Sequence, residues 1–184
     1  MYGAIFVELK RYVEERVGPD TWPALEVDAG LPGKVFLATD TYPDDDAYAL
    51  VGAASRATRR AASAILQDFG EFLAPQFMRT YGGLADPAWK TLALLEHLEE
   101  TIHRVVRHRE AGASPPDIRC ARTSPSEVTI TYTSTRKMCP LAKGLVHGVA
   151  RHYGERVTLL EPTCLLKGAA QCLIVVRLVP PEQA

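Results

Sequence analysis

The feature that most restricts the fold is a change of side-chain periodicity between the two halves of the chain. Residues 1–109 place apolar side chains at helical spacing, whereas residues 127–135 alternate β-branched residues in the run Val-Thr-Ile-Thr-Tyr-Thr-Ser-Thr. A change from a period near 3.6 to a period of 2 separates the helices from the sheet along the chain. The sequence therefore predicts an α+β fold, with helices first and then an antiparallel sheet crossed by one helix.

Start and stop signals predict the individual elements. Gly18-Pro19 ends a first helix, Asp44 caps a later one, and Asp86-Pro87 opens a long amphipathic helix that runs to about Arg109. The chain of 184 residues is long enough for one domain. The remaining predictions are helices over residues 21–29, 59–69, 73–81 and 141–153, and strands over residues 127–135, 157–160 and 172–178.

Charge and hydropathy exclude two broad classes of function. The 21 Lys and Arg residues balance the 22 Asp and Glu residues, so the chain lacks the positive charge typical of nucleic-acid-binding proteins. The longest stretches without a charged residue have nine residues, whereas a membrane-spanning helix needs about 20. The N-terminal segment has no secretory-signal pattern, so we expect a cytoplasmic protein with neither nucleic-acid nor membrane partners.

One face of the strand predicted at residues 127–135 carries a candidate binding group. Side chains alternate between the two faces of a strand, so Tyr132, Ser134 and Arg136 follow Val128 and Ile130 on one side. A phenol, a hydroxyl and a guanidinium at the end of an apolar face suit an apolar ligand that carries carboxylates. The same spacing also fits a strand that leaves the core, with Arg136 solvated.

The motif Tyr132-x-Ser134-x-Arg136, followed by a glycine-bearing helix at residues 144–150, resembles the haem nitric oxide/oxygen-binding (H-NOX) family. The resemblance implies a distal helical subdomain over about residues 1–60 and a proximal subdomain with the sheet over about residues 61–184. Other similar blocks follow in the family's order, at residues 1–6, 42–44, 50–55, 69–77 and 115–120.

The resemblance also implies a haem b cofactor whose propionates are held by the Tyr, Ser and Arg of the motif. A proline after the long helix, Pro116, would press on the haem. The resemblance implies further haem contacts, each of which could equally be an ordinary core residue. They are Met1, Ile5, Leu9, Ala74, Phe77 and Leu141.

A single histidine on the long helix is the implied iron ligand, because neutral imidazole is a usual axial ligand of haem. Three histidines lie on this segment: His97, His103 and His108. His103 best matches the family's apolar-His-x-x-Val context and lies 13 residues before Pro116, and His97 is the next candidate.

The residues expected on the gas-binding side of the haem indicate which gas is bound. Relatives that hold O2 supply a tyrosine on the helix after the motif, but no tyrosine lies between Tyr132 and Tyr153 here, and Leu9 and Ala74 offer no donor. The resemblance therefore implies a sensor for NO and CO that releases its proximal histidine and signals to a separate histidine kinase or cyclic-di-GMP enzyme. The sequence shows no nucleotide-binding or hydrolase motif, so we expect no enzymatic activity.

The cysteines raise a second hypothesis. Some H-NOX proteins carry zinc on three cysteines and a histidine, which implies Cys139, Cys164 and Cys172 here, with Glu161 at the histidine position. Three buried free thiols fit the spacing equally well. The alternative function is a haem-independent regulator that senses redox state through zinc and thiols. Other possible fourth ligands are His147, His152 and Cys120.

Overall fold

The computed structural model describes residues 1–109 and 112–180, and it confirms the predicted α+β class. None of the helices in these ranges combines the length and apolar character needed to cross a membrane. The helices are α1 Gly3–Arg16, α2 Thr21–Asp28, α3 Asp44–Thr58, α4 Ala62–Tyr81, α5 Thr91–His97, α6 Arg104–Arg109 and α7 Cys139–His152. Short 3-10 turns cover Gly82–Leu84 and Leu165–Lys167, and a π-helical turn covers Glu99–His103.

The sheet consists of four antiparallel strands in the order β1-β2-β4-β3. In the central pair, Ile130 on β2 lies opposite Ile174 on β4, and Tyr132 lies opposite Cys172. Helix α7 connects β2 to β3 and packs its apolar side chains against one face of the sheet, as predicted for a crossing helix. The strands are β1 Asp117–Ser124, β2 Glu127–Thr133, β3 Val157–Thr163 and β4 Cys172–Leu178.

Two apolar cores lie on either side of the chain's midpoint. The first joins α1 to α4 around Phe6, Leu50 and Leu73. The second joins the sheet to α5 and α7 around Val128 and Ile174. The first core extends into α4, beyond the subdomain boundary expected near residue 60, and that boundary stays a prediction.

Helices α4 and α7 join the two cores through direct backbone contact. A Cβ on Gly144 would lie 1.9 Å from the carbonyl oxygen of Gln67, and a Cβ on Gly70 would lie 2.3 Å from that of Leu141. A Cβ on Gly148 would meet the Ala74 side chain at 2.4 Å. We call this contact, made by Gly70, Gly144 and Gly148, the glycine seam.

Three predicted elements are corrected by the structure. The separate helices at residues 59–69 and 73–81 are one helix, α4, because Gly70 serves the contact with α7 instead of ending the helix. The helix predicted from Asp86 begins at Thr91, since the Asp86 carboxylate accepts a hydrogen bond from the Ala88 amide in a turn. Asp44 is the first residue of α3 and does not cap it, because its carboxylate binds elsewhere.

Strand β1 was not predicted at all. Its sequence, Asp-Ile-Arg-Cys-Ala-Arg-Thr-Ser, is mostly polar, and most of its side chains are at least partly exposed. The strand forms because its backbone pairs with β2 from Asp117↔Thr133 onward. Side-chain periodicity carries little information about an edge strand of this kind.

We predict that Gly144→Ala destabilises the protein by about 1–3 kcal/mol, because the added methyl group meets backbone atoms of α4 that cannot rotate away. The measurement is urea unfolding followed by circular dichroism. Gly52→Ala is the matched control, because a Cβ there meets only the Arg56 side chain at 3.5 Å. The control should be neutral or stabilising by up to about 1 kcal/mol. An equal loss of unfolding free energy in both variants would contradict the backbone contact at the glycine seam.

Candidate functional site

A cavity of about 270 Å³ lies between the two cores. Its walls come from α1, α4, α5, the π-helical turn, α6, α7, three strands of the sheet (β1, β2 and β4) and the loop before β1. Most of the lining side chains are apolar. Among the lining residues that the structure describes, those with polar side chains are Tyr2, Tyr81, His103, Ser114, Tyr132, Ser134 and Arg136.

The Tyr-x-Ser-x-Arg motif lies at one end of this cavity. Tyr132 is the buried, penultimate residue of β2, whereas Ser134 and Arg136 lie in the turn between β2 and α7. All three side chains line the cavity, although the strand that was expected to align them ends at Thr133. Burial is the main reason that the pKa of Tyr132 rises to about 12, so its phenol is a neutral hydrogen-bond donor.

Arg136 binds across the molecule to the first helical region. Its Nε lies 2.9 Å from Oδ1 of Asp44 at the start of α3, and its Nη1 donates to the carbonyl of Ser114. The Tyr48 hydroxyl on α3 donates to the Arg136 carbonyl at 2.9 Å. The Arg136 side chain is only 19% exposed, so it is not the solvated arginine that the sequence also allowed.

Asp44 binds two positively charged groups at this end of the cavity. Its Oδ1 also lies 2.9 Å from the amino nitrogen of Met1. Partial burial by itself would raise the pKa of this carboxyl. Hydrogen bonds from the Met1 ammonium and from Arg136 outweigh burial, and the pKa lies below its ordinary value.

His103 lies on the wall of the cavity, at the end of the π-helical turn. Its amide donates to the carbonyl of Leu98, five residues earlier, at 3.0 Å, and its Nδ1 lies 2.9 Å from Oε2 of Glu99. Burial lowers the pKa of His103 more than the Glu99 carboxylate raises it, which favours the neutral imidazole. A neutral imidazole can act as a metal ligand.

The other two histidines of this segment lie away from the cavity. The ring of His97 is exposed and stacks on Trp89, with centroids 4.5 Å apart. His108 is exposed, and its Nδ1 lies 2.7 Å from the Arg104 carbonyl oxygen, to which it can donate. The structure thus brings His103, and neither of the alternatives, to the same cavity as the motif.

The remaining residues expected at the site divide into two groups. Leu9 is buried in the first core and is not among the residues that line the cavity, so its contact with a cofactor stays a prediction. Ala74 also lies off the cavity wall, where it packs against Gly148. Those that do line the cavity are Met1, Ile5, Phe77, Pro116 and Leu141.

Two helix faces form a regular pattern in the walls, and the sequence alone did not assign these faces to a cavity. Leu73, Phe77 and Tyr81 recur every four residues along α4, and Leu141, Leu145 and Val149 do the same along α7. Spacing of four residues places side chains on one helix face. This signal could have identified both walls, but it is the same pattern that an ordinary core would give.

The three predicted cysteines and Glu161 form a second cluster, between α7 and the ends of β3 and β4. The four ligand atoms lie within 4.8 Å of one another, and Sγ of Cys139 and Cys164 are 3.7 Å apart. Burial, followed by the neighbouring thiols, raises the pKa of Cys139, and burial also raises that of Cys172. Cys120, His147 and His152, the other possible fourth ligands, lie outside this cluster.

Glu161 links this cluster to a lysine. Its Oε2 accepts a hydrogen bond from Nζ of Lys143 at 2.9 Å, whereas its Oε1 is buried and has no partner among the described residues. A buried carboxylate oxygen without a partner costs free energy, and a cation would satisfy it.

Comparison with known proteins gives one family. A family model described as haem-NO-binding matches residues 2–161. No curated protein gives a match.

The fold is similar to that of several solved structures. An H-NOX protein from S. oneidensis in the Fe(II)NO ligation state has a TM-score of 0.91 and 22% identity, over 98% of this chain and 100% of that one. The Fe(II) unliganded H-NOX protein from K. algicida has a TM-score of 0.88 and 18% identity, over 100% of both chains. At these identities the likeness establishes the fold.

We predict that Asp44→Asn lowers the free energy of unfolding at neutral pH and that this loss becomes smaller as the pH falls below 3.8. The pKa of Asp44 in the folded protein is lowered from 3.8, so its stabilisation is complete above that value and fades as the pH falls through the folded-state pKa. The measurement is urea unfolding of both proteins from pH 7 to about pH 3. Asp45→Asn, an exposed neighbour, is the control, and a loss that persists unchanged in acid would contradict the ion pair.

Proposed function

Because the chain belongs to the haem-NO-binding family, we propose that its cavity binds haem b and that the protein senses NO and CO. Domains of this family are sensors rather than enzymes. The proposal therefore concerns binding and a change of conformation.

One observation carries this proposal: a single apolar cavity has cationic and hydroxyl groups at one end and one imidazole on its wall. Haem has the complementary chemistry, with an apolar ring, two carboxylates at one edge and a metal that binds imidazole. Arg136 and Tyr132 would bind the carboxylates, and His103 would bind the iron. When bound, haem would supply an iron that binds both His103 and a gas.

The cavity wall formed by α4 and α7 supports the choice of gas. Leu73, Phe77, Leu141 and Leu145 are apolar and cannot donate a hydrogen bond. Bound O2 carries partial negative charge and is stabilised by a donor, whereas NO and CO need none. Tyr81 is the phenol on the same face of α4, so it is the residue to test as a donor.

The proposed signal is the release of His103. Its helix packs against β1 and the second core, and Leu95 belongs to that core. Freeing the imidazole would allow this segment to move relative to the sheet, and a separate partner would detect the movement. A histidine kinase or a cyclic-di-GMP enzyme is the proposed partner, by resemblance to similar bacterial members of the family.

The function is tested by the absorption spectrum of the protein purified with haem or reconstituted with hemin and then reduced. We expect a Soret band that shifts with NO and with CO, and no stable oxygen complex in air. A preparation that stays colourless would contradict haem binding. A stable oxygen complex would contradict the gas assignment, and its loss in Tyr81→Phe would identify the donor.

Two histidine variants provide the control for this experiment. His103→Gly should lose the normal ferrous spectrum and recover it on addition of imidazole, because the free base fills the same space. His97→Gly should behave as the wild-type protein, because His97 lies outside the cavity. The reverse result would assign the iron to His97.

A second candidate function rests on the cysteine cluster, which we propose as a zinc site. Three thiolates and one carboxylate provide four ligands, the number that structural zinc sites use. The unpartnered oxygen of Glu161 supports this fit. Zinc would join α7 to the hairpin of β3 and β4, and oxidation of the thiolates would release it.

We predict about one zinc ion per chain in protein purified without chelator, measured by inductively coupled plasma mass spectrometry. Cys139→Ser should abolish binding because it removes one of the four ligands. Cys120→Ser, outside the cluster, should keep the full content. Metal-free wild-type protein that does not take up added zinc would contradict the site.

A further inference from the structure

The carboxylate of Glu99 joins the imidazole that lines the cavity to a surface arginine. Oε2 of Glu99 lies 2.9 Å from Nδ1 of His103, and Oε1 lies 2.5 Å from Nη1 of Arg107. We propose that Glu99 is a positioning residue that holds His103 in the tautomer with hydrogen on Nδ1, so that Nε2 is the free ligand nitrogen. This inference rests on the proposed function only where it concerns iron.

The geometry leaves one role for each nitrogen of the ring. A carboxylate only accepts hydrogen bonds, so the Nδ1 that faces Glu99 must carry the hydrogen. In a neutral imidazole the other nitrogen then has a lone pair. The His103 side chain is only 13% exposed and lines the cavity, so this lone pair belongs to a largely buried ring.

Arg107 fixes the orientation of the carboxylate. Glu99, His103 and Arg107 follow each other at four-residue intervals, which brings their side chains to one side of the helix. Because Arg107 occupies Oε1, Oε2 stays directed at the imidazole. The π-helical turn over Glu99–His103 contains both ends of the hydrogen bond, and such turns are frequent at functional sites.

Within residues 91–109, neither of the other two carboxylates, Glu96 and Glu100, competes for the imidazole. Glu96 is bound to Arg122 of β1, and its Oε2 is the acceptor. Glu100 follows Glu99 directly but is exposed, and it lies on a different side of the helix. Glu99 is thus the acceptor placed to select the tautomer.

A carboxylate partner also changes the strength of the imidazole as a ligand. Donation of the Nδ1 hydrogen to a carboxylate raises the basicity of the coordinating nitrogen, and loss of such partners typically lowers metal affinity by about 10–100-fold. Glu99 would therefore strengthen the bond from His103 to iron and oppose its release. The Glu99–Arg107 pair would set how readily the sensor responds.

The first test uses the haem-free protein and does not depend on the cofactor. Nitrogen-15 NMR of labelled histidine should show His103 in the Nδ1-protonated tautomer. Glu99→Ala should shift it towards the Nε2-protonated tautomer usual for free histidine, and Glu99→Gln, which keeps an acceptor oxygen, should restore most of the wild-type signal. Glu100→Ala removes the same charge one residue away and should change nothing.

The second test uses the haem-loaded, ferrous protein. The iron–histidine stretching frequency measured by resonance Raman should fall in Glu99→Ala and in Glu99→Gln, and should stay unchanged in Glu100→Ala. An Nε2-protonated His103 in the wild-type protein, or equal spectra for all variants, would overturn the inference. Failure to bind haem would contradict the proposed function and leave the tautomer result standing, which separates the two failures.

Discussion

The backbone contact between α4 and α7 is the constraint on which the rest of the structure depends. Gly70, Gly144 and Gly148 carry no side chains, so the two helices approach until their backbones touch. Helix α4 belongs to the first core and α7 to the second, and their neighbouring faces form two walls of the cavity. The seam therefore fixes the distance between the walls, whatever the cavity contains.

At the polar end of the cavity, Arg136 makes a second connection between the region of the first core and the region of the second. It follows β2, one of the two central strands of the sheet, and its guanidinium binds Asp44 at the start of α3. Because the motif arginine is held from the opposite side, a carboxylate ligand at this end would share the guanidinium with Asp44. A ligand carboxylate would bind the same guanidinium that connects the two regions. Ligand binding is therefore coupled to the contact between these regions.

The sequence predicted the class of fold, most helices and the association of Tyr132, Ser134 and Arg136, because these depend on local periodicity and on a short motif. It did not predict β1, because the side chains of this strand are mostly polar and the strand forms through backbone pairing with β2. It divided α4 at Gly70, because the requirement for glycine there comes from α7, far away in the chain. For Leu9, which is buried in the first core, the sequence left open whether the side chain meets a cofactor or only its core neighbours, because apolar spacing on a helix is the same in both cases. The sequence showed only that Glu99 and His103 are four residues apart. The hydrogen bond between them, and the burial of the imidazole, became visible only in the structure.

The π-helical turn over Glu99–His103 holds one residue more than a regular helix would use for the same rise. Each residue of an α-helix turns the chain by about 100°. If this turn tightened to regular α geometry, the segment beyond it would rotate about its own axis by roughly that angle. Arg104, Arg107 and Arg109 would then point in new directions. A change confined to one turn could thereby present a different pattern of positive charge to a neighbouring molecule, without any opening of the glycine seam.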